Sequence, residues 1–398
     1  MDFLSLWFLA FACAAILLTK FSRTKQQQNI VILIANILFY LVWSAKFLFL
    51  LLAEGIALFF VYKKMSDTSI DKIKKCYLSV GVSVSIIVLA IFKYYNFFIS
   101  NLTDVGINLR GLSIVAPIGI SFYTFMLISF IVDVYKGKID KKIGIVEMLD
   151  YCLFFPTIVS GPITKARDLI PQFKCYREVN TNKVQNAICR FTIGAFKKVV
   201  IADRLAIYVD AVFKTPTVYS WLTLALASIA YSIQLYCDFA GYSDMAIAVA
   251  EAMGIEICEN FCFPYLSKNP TEFWKRWHIS LSSWLQEYLY ISLGGNRKGK
   301  IRTYINLIIT MILGGLWHGA NWTFILWGTI HGVALVIHKL FANLLKKYEL
   351  TISVLGECKR QVLFHKFWHL IFHKKRQLNF HTYLVFYTRG FLRGFVFI

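Results

Sequence analysis

The chain has 398 residues, of which 58% are hydrophobic and 16% are charged, whereas about 25% of residues are charged in a soluble domain. Phenylalanine occurs 35 times, more often than Asp and Glu together, which number 22. A soluble fold of this size cannot bury so much apolar surface. The composition therefore excludes a disordered protein, a secreted disulfide-rich scaffold and an ordinary cytosolic enzyme, and it indicates a polytopic membrane protein.

The formal net charge of +21 comes from 43 Lys and Arg residues against 22 Asp and Glu residues. On a soluble protein this excess would indicate nucleic-acid binding. Here the basic residues lie in short runs between apolar stretches, which is typical of cytoplasmic loops that face anionic lipid headgroups. We therefore expect contact with membrane lipids and no nucleic-acid partner. The nine cysteines are scattered and suggest no ligand cluster, so we expect no metal.

Five apolar stretches near the N-terminus have nearly the length of a membrane-spanning helix, which needs about 20 residues. They are 3–19, 29–45, 47–62, 77–97 and 112–134. Basic residues concentrate in the loops after the first, third and fifth stretches. By the positive-inside rule these loops are cytoplasmic, and the N-terminus is predicted to lie outside.

After residue 145 the apolar stretches become shorter and are interrupted by Gly, Pro and charged residues. A long run at 218–250 contains several polar residues, and 301–317 and 322–346 again have the composition of spans. Broken helices at membrane depth are tolerated only where protein or a water-filled cavity surrounds them. We predict an all-α polytopic membrane fold with about 9–11 transmembrane helices, together with re-entrant or interfacial helices, around a central funnel.

His318 is the first candidate for chemistry. It lies in the segment 314–322 (GGLWHGANW), between the end of one apolar run and the start of the next. An ionisable residue at membrane depth is costly to bury and is commonly functional. Burial also favours the neutral imidazole, which can accept a proton. The alternative is a core histidine hydrogen-bonded to a carbonyl, and the residues alone leave both interpretations open.

His278 is a second candidate, within the segment 273–281 (FWKRWHISL). As a helix this segment would be amphipathic and interfacial, with Trp274, His278 and Leu281 on one face. In the alternative interpretation His278 is only the wet edge of that helix. The residues alone favour this alternative.

Two carboxylates, Asp238 and Asp244, lie in the segment YCDFAGYSD of the long apolar run. They could orient a histidine, move protons, or pair with Arg276 or Arg204. Structural pairing is the favoured role for at least one of them. Downstream, the loop 294–300 (GGNRKGK) resembles a phosphate-binding loop, but a basic cytoplasmic loop is the favoured interpretation unless a phosphorylated donor is implied independently.

Taken together, five segments resemble the membrane-bound O-acyltransferases, and within them the bacterial alginate-type O-acetylation proteins. These segments are SFYTF at 121–125, FFPTIVSGPI at 154–163, CDFAGYSD at 237–244, FWKRWHISL at 273–281 and LWHGANW at 316–322. Any one segment is weak evidence, whereas the combination, which covers roughly residues 1–340, is specific.

The resemblance implies a multi-helix fold with a conical thinning of the bacterial inner membrane. It implies that His318 is the catalytic histidine and His278 the second, and that both line a tunnel between the cytoplasm and the outer face. Acetyl groups would come from cytoplasmic acetyl-CoA and reach a polysaccharide, such as alginate or a cell-wall glycan. A separate extracytoplasmic SGNH-type acetyltransferase would complete the delivery. Basic residues such as Lys197, Lys198, Arg276, Arg297 and Lys298 would attract the phosphates of coenzyme A by charge.

The expected reaction is therefore acyl transfer, in which His318 accepts the proton of an acceptor hydroxyl that attacks the acetyl thioester. Two alternatives stay open. A transporter or flippase for a lipid-linked sugar would also have broken helices and intramembrane acids, and a non-catalytic membrane scaffold would need no histidine.

The sequence is divided into three predicted parts. They are N-terminal transmembrane helices at 1–145, a catalytic core at 146–346 and a basic tail at 347–398. The tail departs from the family, whose members usually continue with further membrane helices, and this departure predicts a truncated or frameshifted chain.

Overall fold

The computed structural model describes residues 3–107, 110–112, 114–139 and 142–355, with side chains up to residue 346. Throughout these residues the regular structure is helical, and they contain no β-strand. The basic tail beyond residue 355 lies outside the described residues. The chain divides into two compact units. The first is Met1–Pro264 with Lys275–Leu289, and the second is Tyr265–Trp274 with the chain from Tyr290 onward.

The helices follow one another with short connections. Up to residue 264 they are α1 (Leu6–Phe21), α2 (Lys25–Trp43), α3 (Ala45–Asp67), α4 (Asp71–Leu89), α5 (Tyr95–Asp104), α6 (Ile120–Tyr135), α7 (Ile145–Leu153), α8 (Phe155–Ile158), α9 (Ala166–Phe173), α10 (Thr181–Phe196), α11 (Asp203–Lys214) and α12 (Trp221–Ala252). After residue 264 the helices are α13 (Pro270–Arg276), α14 (Ile279–Trp284), α15 (Lys300–His318) and α16 (Trp322–Leu355). Three π-helical turns interrupt the series, at Ala90–Tyr94, Lys197–Ala202 and Leu285–Tyr290.

Several helices begin at residues whose side chains cap them. Ser5, Asn180 and Ser220 each accept a hydrogen bond from the backbone N–H three residues later. Thr24 and Gln27 form a capping box at the start of α2. Such caps satisfy N–H groups that have no partner inside the helix. The polar residues between apolar runs therefore define where these helices start.

Five described helices are long and apolar enough to cross a membrane. They are Lys25–Trp43, Ala45–Asp67, Asp71–Asp104, Trp221–Ala252 and Trp322–Lys346. Leu6–Phe21 and Ile120–Tyr135 are shorter apolar helices. These helices confirm the predicted all-α polytopic membrane class. The larger number of spans and the central funnel stay predictions.

Helix α6 begins later than the apolar run 112–134 suggests. Gly119 has a positive φ of 75°, and a Cβ atom there would lie 2.2 Å from the carbonyl oxygen of Ile158. Glycine is required where the backbone takes this conformation beside another main chain. The helix therefore starts only at Ile120, and the predicted start at residue 112 is wrong.

The core of the first unit is rich in buried tyrosines whose hydroxyls have backbone partners. The Tyr62 hydroxyl accepts a hydrogen bond from the Ile143 N–H at 2.9 Å, and the Tyr151 hydroxyl donates to the Met126 carbonyl at 2.9 Å. Both tyrosines are fully buried. A buried hydroxyl without a partner would cost about 1–3 kcal/mol, so these bonds allow aromatic rings to fill the core.

Helices α10 and α12 cross with their backbones in contact. A Cβ atom at Gly194 would lie 2.7 Å from the Gly241 carbonyl oxygen, and one at Gly241 would lie 2.6 Å from the Gly194 carbonyl oxygen. Small residues allow this approach, which is a common way for membrane helices to pack. The crossing fixes the part of α12 that carries Ser243 and Asp244.

Candidate active site

His278 is buried in the first unit at a break between two helices. Its backbone has φ 43° and ψ 55°, in the left-handed region, and the residue is 1% exposed. This conformation costs a non-glycine residue about 1–3 kcal/mol and is held only by strong surroundings. The continuous amphipathic helix predicted over 273–281 is therefore wrong, because α13 ends before His278 and α14 begins after it. The interpretation of His278 as the wet edge of a helix is wrong as well.

Asn260 makes the polar contacts that hold this break. Its Oδ1 lies 3.0 Å from His278 Nδ1 and accepts a hydrogen bond from the Ser280 hydroxyl at 2.9 Å. Its Nδ2 donates to Ser243 Oγ on α12 at 3.0 Å. Its backbone carbonyl accepts from the Ile279 N–H at 2.8 Å. One buried asparagine thus joins His278, the start of α14 and α12.

Aromatic rings surround the His278 imidazole. The Phe239 ring packs edge-on, with centroids 4.7 Å apart and an interplanar angle of 89°. The Phe261 ring lies nearly parallel at 6.5 Å and itself packs against Trp277 at 5.1 Å. Such surroundings limit the rotation of the imidazole and exclude water from part of it, which is the kind of environment in which a histidine is held for chemistry.

His318 is the last residue of α15 in the second unit, and it is half-buried. Three aromatic side chains contact its ring: Trp317 at 5.0 Å, Trp327 at 5.3 Å and Phe324 at 6.3 Å between centroids. The backbone then turns at Gly319, and the Asn321 side chain accepts from the Thr323 N–H at 2.9 Å at the start of α16. The imidazole therefore lies at the tip of a helical hairpin, in an aromatic environment.

Glycines bring α15 and α16 into backbone contact beside His318. A Cβ atom at Gly315 would lie 2.2 Å from the Phe324 carbonyl oxygen, and one at Gly328 would lie 2.3 Å from the Met311 carbonyl oxygen. These glycines serve the close packing of a neighbouring helix. This close packing holds the end of α15, and with it His318, against the first turns of α16.

A Trp–His cluster in the second unit was not assigned from the sequence. Trp274 lies 5.2 Å from His331 and 5.7 Å from Trp327, and Trp327 lies 4.6 Å from His331. On the same face of α16, His338 Nδ1 lies 2.9 Å from the Thr271 hydroxyl. The spacing of Trp327, His331 and His338 follows one helix face, which is the signal that could have revealed the cluster.

Both carboxylates of α12 are paired. Asp238 lies 2.6 Å from Lys198 Nζ, while Asp244 lies 2.7 Å from Lys197 Nζ and 3.1 Å from Arg190. The preference for structural pairing is confirmed, but the partners are Arg190, Lys197 and Lys198, and the suggested partners Arg276 and Arg204 were wrong. These pairs hold α12 against the segment that contains Gly194.

A second ionic cluster, centred on Glu287, was also missed. Glu287 accepts hydrogen bonds from Arg167 Nη2 at 2.7 Å and from Lys165 Nζ at 3.0 Å, and it also pairs with Lys138. The Arg167 guanidinium in particular holds the pKa of Glu287 well below its usual range. Next to it, the Tyr288 hydroxyl donates to Asp133 Oδ2 at 2.7 Å. The cluster joins segments that are far apart in the sequence.

The residues predicted to attract the donor phosphates lie in different units. Arg276 is in the first unit and donates to the Cys262 carbonyl at 3.4 Å. Arg297 and Lys298 are exposed in the second unit, in the glycine-rich turn before α15. Asn306 donates to the Gly295 carbonyl at 3.1 Å and fixes this turn. The role of these three cations stays a prediction.

The described residues contain no group of three or more His, Cys, Asp or Glu side chains that could hold a metal ion.

Comparison with known proteins matches residues 39–372 to the model of the membrane-bound O-acyltransferase family. The chain is 42% identical over 337 residues to the "Probable alginate O-acetylase AlgI" of Pseudomonas syringae pv. tomato, covering 82% of this chain and 64% of the relative. It is 35% identical over 363 residues to the "Peptidoglycan O-acetyltransferase" of Helicobacter pylori, covering 84% and 69%. It is 31% identical over 246 residues to the "Teichoic acid D-alanyltransferase" of Bacillus subtilis, covering 60% and 62%.

The chain spans less than two thirds of the length of the alginate O-acetylases it matches, between 61% and 66% for those compared. The matches confirm the resemblance recognised from the sequence segments. The matched range contains both His278 and His318.

Proposed function

The chain belongs to the membrane-bound O-acyltransferase family, and from this membership we propose that it is an O-acetyltransferase of the bacterial inner membrane. It moves acetyl groups from cytoplasmic acetyl-CoA across the membrane for the O-acetylation of an extracytoplasmic polysaccharide. The names of the alginate and peptidoglycan relatives support an acetyl group and a glycan acceptor. The observation that carries the proposal is the position of His318 at the tip of the α15–α16 hairpin, half-buried among aromatic rings.

His318 acts as the general base in this proposal. Its neutral imidazole accepts the proton of the acceptor hydroxyl while the hydroxyl oxygen attacks the thioester carbonyl carbon. The carbon–sulfur bond then breaks, and the coenzyme A sulfur leaves with a proton returned by the imidazole. A positioned base typically contributes about 10²–10⁴-fold to the rate. Packing on three sides by Trp317, Phe324 and Trp327 supports this role, because a base must be held in one orientation.

The remaining roles are those that the family resemblance implies, together with the distribution of basic residues. His278 is the second histidine of the reaction. Arg276, Arg297 and Lys298 attract the phosphates of coenzyme A on the cytoplasmic side. The N-terminus lies outside, and a separate SGNH-type acetyltransferase passes the acetyl group to the polysaccharide.

Acetyl transfer by the purified full chain tests the proposal. The protein is incubated in lipid nanodiscs with radiolabelled acetyl-CoA, a glycan acceptor and an SGNH-type acetyltransferase, and release of coenzyme A is measured. The His318→Gln variant should lose at least about 10²-fold in rate, while His338→Gln, a histidine in contact with Thr271, serves as the matched control. Equal rates for wild type and His318→Gln would overturn the role of His318. Absence of release from the wild type would favour a flippase or a scaffold.

A further inference from the structure

We propose that Asn260 is a positioning residue that holds the neutral His278 imidazole with its proton on Nδ1 and its lone pair on Nε2. The role of this tautomer in acyl transfer rests on the proposed function. The tautomer itself rests only on the contacts of the first unit.

The first step is the orientation of the Asn260 amide. The Ser280 backbone N–H points at Oδ1 at 3.4 Å, and the Ser280 hydroxyl lies 2.9 Å from the same atom. A backbone N–H can only donate, so the atom that it faces is the amide oxygen rather than the nitrogen. The amide nitrogen then faces Ser243 Oγ at 3.0 Å, where it donates. The two contacts on opposite sides of the amide agree on one orientation.

The second step is the proton on the imidazole. Asn260 Oδ1 has no hydrogen and can only accept, so at 3.0 Å His278 Nδ1 must be the donor. In a neutral imidazole only one nitrogen carries a proton. Nε2 therefore has the lone pair and is the atom able to take a proton from a bound hydroxyl.

The third step is the rigidity of the arrangement. Backbone hydrogen bonds flank the contact on both sides: the Ile279 N–H donates to the Asn260 carbonyl at 2.8 Å, and the Cys262 N–H donates to the Arg276 carbonyl at 2.9 Å. These bonds hold the left-handed backbone of His278, which is 1% exposed. Because the main chain is held on both sides of His278, the imidazole cannot move away from Asn260 by a simple rotation.

An uncharged partner suits a histidine that must stay neutral. Asn260 and Ser280 contact the imidazole by hydrogen bonding, and Phe239 and Phe261 contact it by ring packing; these four side chains are uncharged. A carboxylate at position 260 would make the same hydrogen bond but would favour the imidazolium. Asparagine selects the tautomer without favouring the charged form. This explains why an amide, rather than an acid, occupies the position.

Solid-state NMR of the full chain, labelled with ¹⁵N-histidine in lipid bilayers, tests the inference directly. The two nitrogens of an imidazole give different signals when protonated and unprotonated, and the signals missing from His278→Gln identify His278. We expect a protonated Nδ1 in the wild type. Asn260→Leu should shift the population toward the Nε2 proton. Asn260→Asp should keep the Nδ1 proton and should increase the imidazolium fraction relative to the wild type at the same pH, because a carboxylate favours the charged form.

The control is Asn180→Asp, a conservative change at the cap of α10, which should leave the His278 signals unchanged. Acetyl transfer supplies a second readout: Asn260→Asp should move the acidic limb of the pH–rate profile upward. If Asn260→Leu does not fold, Asn260→Ser takes its place. A wild-type His278 protonated on Nε2, or an unchanged tautomer in folded Asn260→Leu or Asn260→Ser, would overturn the inference. An inactive wild type with a protonated Nδ1 would refute the proposed function alone.

Discussion

The Trp327 indole packs edge-on against the His318 imidazole, with ring centroids 5.3 Å apart and an interplanar angle of 85°. Trp327 lies on α16, and His318 ends α15. The same indole contacts His331 at 4.6 Å. The orientation of the proposed base therefore depends on a tryptophan of the neighbouring helix, and the packing between the two helices becomes part of the site.

Replacement of Trp327 should damage catalysis more than folding. Trp327→Ala removes the wall that orients His318, and a misplacement of about 1 Å can cost roughly 10²-fold in rate. Trp327→Phe keeps an aromatic edge and should retain most of the activity. The measurement is kcat for coenzyme A release, with the melting temperature of each variant as the control. Equal loss in both variants would mean that the indole does more than orient the ring.

Addition of one methyl group to the α15–α16 contact should destabilise the hairpin. In Gly328→Ala the new Cβ would lie 2.3 Å from the Met311 carbonyl oxygen, so the helices must separate. Overpacking of this kind costs about 1–3 kcal/mol. The matched control is Gly111→Ala, whose Cβ would meet only Asn96 Oδ1 at 3.6 Å. The check is the thermal midpoint of each variant in the same detergent, and an unchanged midpoint for Gly328→Ala would contradict the packing.

Loss of the Glu287 carboxylate should leave three cations without their common partner. Glu287→Gln should destabilise the first unit by about 1–3 kcal/mol, because partly buried charged donors lose their acceptor. Chemical denaturation of the wild type and the variant measures this difference. Lys75→Gln, which breaks an exposed pair with Asp71, should have a much smaller effect on stability and serves as the control.

The same carboxylate predicts how stability changes in acid. Its folded pKa is lowered, chiefly by the Arg167 hydrogen bond, relative to about 4.3 in an unfolded chain. A lowered folded pKa means that the stabilisation is present above the unfolded value and is lost as the pH falls through the folded one. Unfolding measured between pH 6 and pH 3 should thus show a loss below about pH 4.3 that Glu287→Gln reduces. A variant with the same pH dependence as the wild type would contradict this assignment.

The two acidic residues of α12, Asp238 and Asp244, should differ in their contribution to stability. Asp244 pairs with two cations and is 17% exposed, whereas the Asp238 side chain is 47% exposed and pairs with Lys198. Asp244→Asn should therefore cost about 1–3 kcal/mol, and Asp238→Asn less than about 1 kcal/mol. Folded Asp244→Asn protein should still transfer acetyl groups, because the carboxylate is a structural partner. Complete loss of transfer in a stable variant would point to a proton-carrying role instead.

The apolar runs predicted the long apolar helices well because the hydrophobicity that lipid contact requires is visible in the local composition. The start of α6 was misplaced because Gly119 faces Ile158, a contact that no local pattern contains. The burial of His278 was missed for the same reason, since its partner Asn260 lies outside the segment. The partners of Glu287 are more than 100 residues away in the chain. Local periodicity predicts membrane helices, whereas the polar contacts that form a site join residues that are far apart in the sequence.

The close crossing of α10 and α12 has a consequence for how the protein responds to the lipid bilayer. Gly241 is pressed against Gly194, and Ser243, two residues further along α12, holds Asn260. Any roll or slide of α12 would thus be passed to His278 by Phe239, which packs against the imidazole, and by the hydrogen bonds that join Ser243 to Asn260 and Asn260 to the imidazole. A change in bilayer thickness that moved α12 would then move the His278 ring without direct contact between lipid and imidazole.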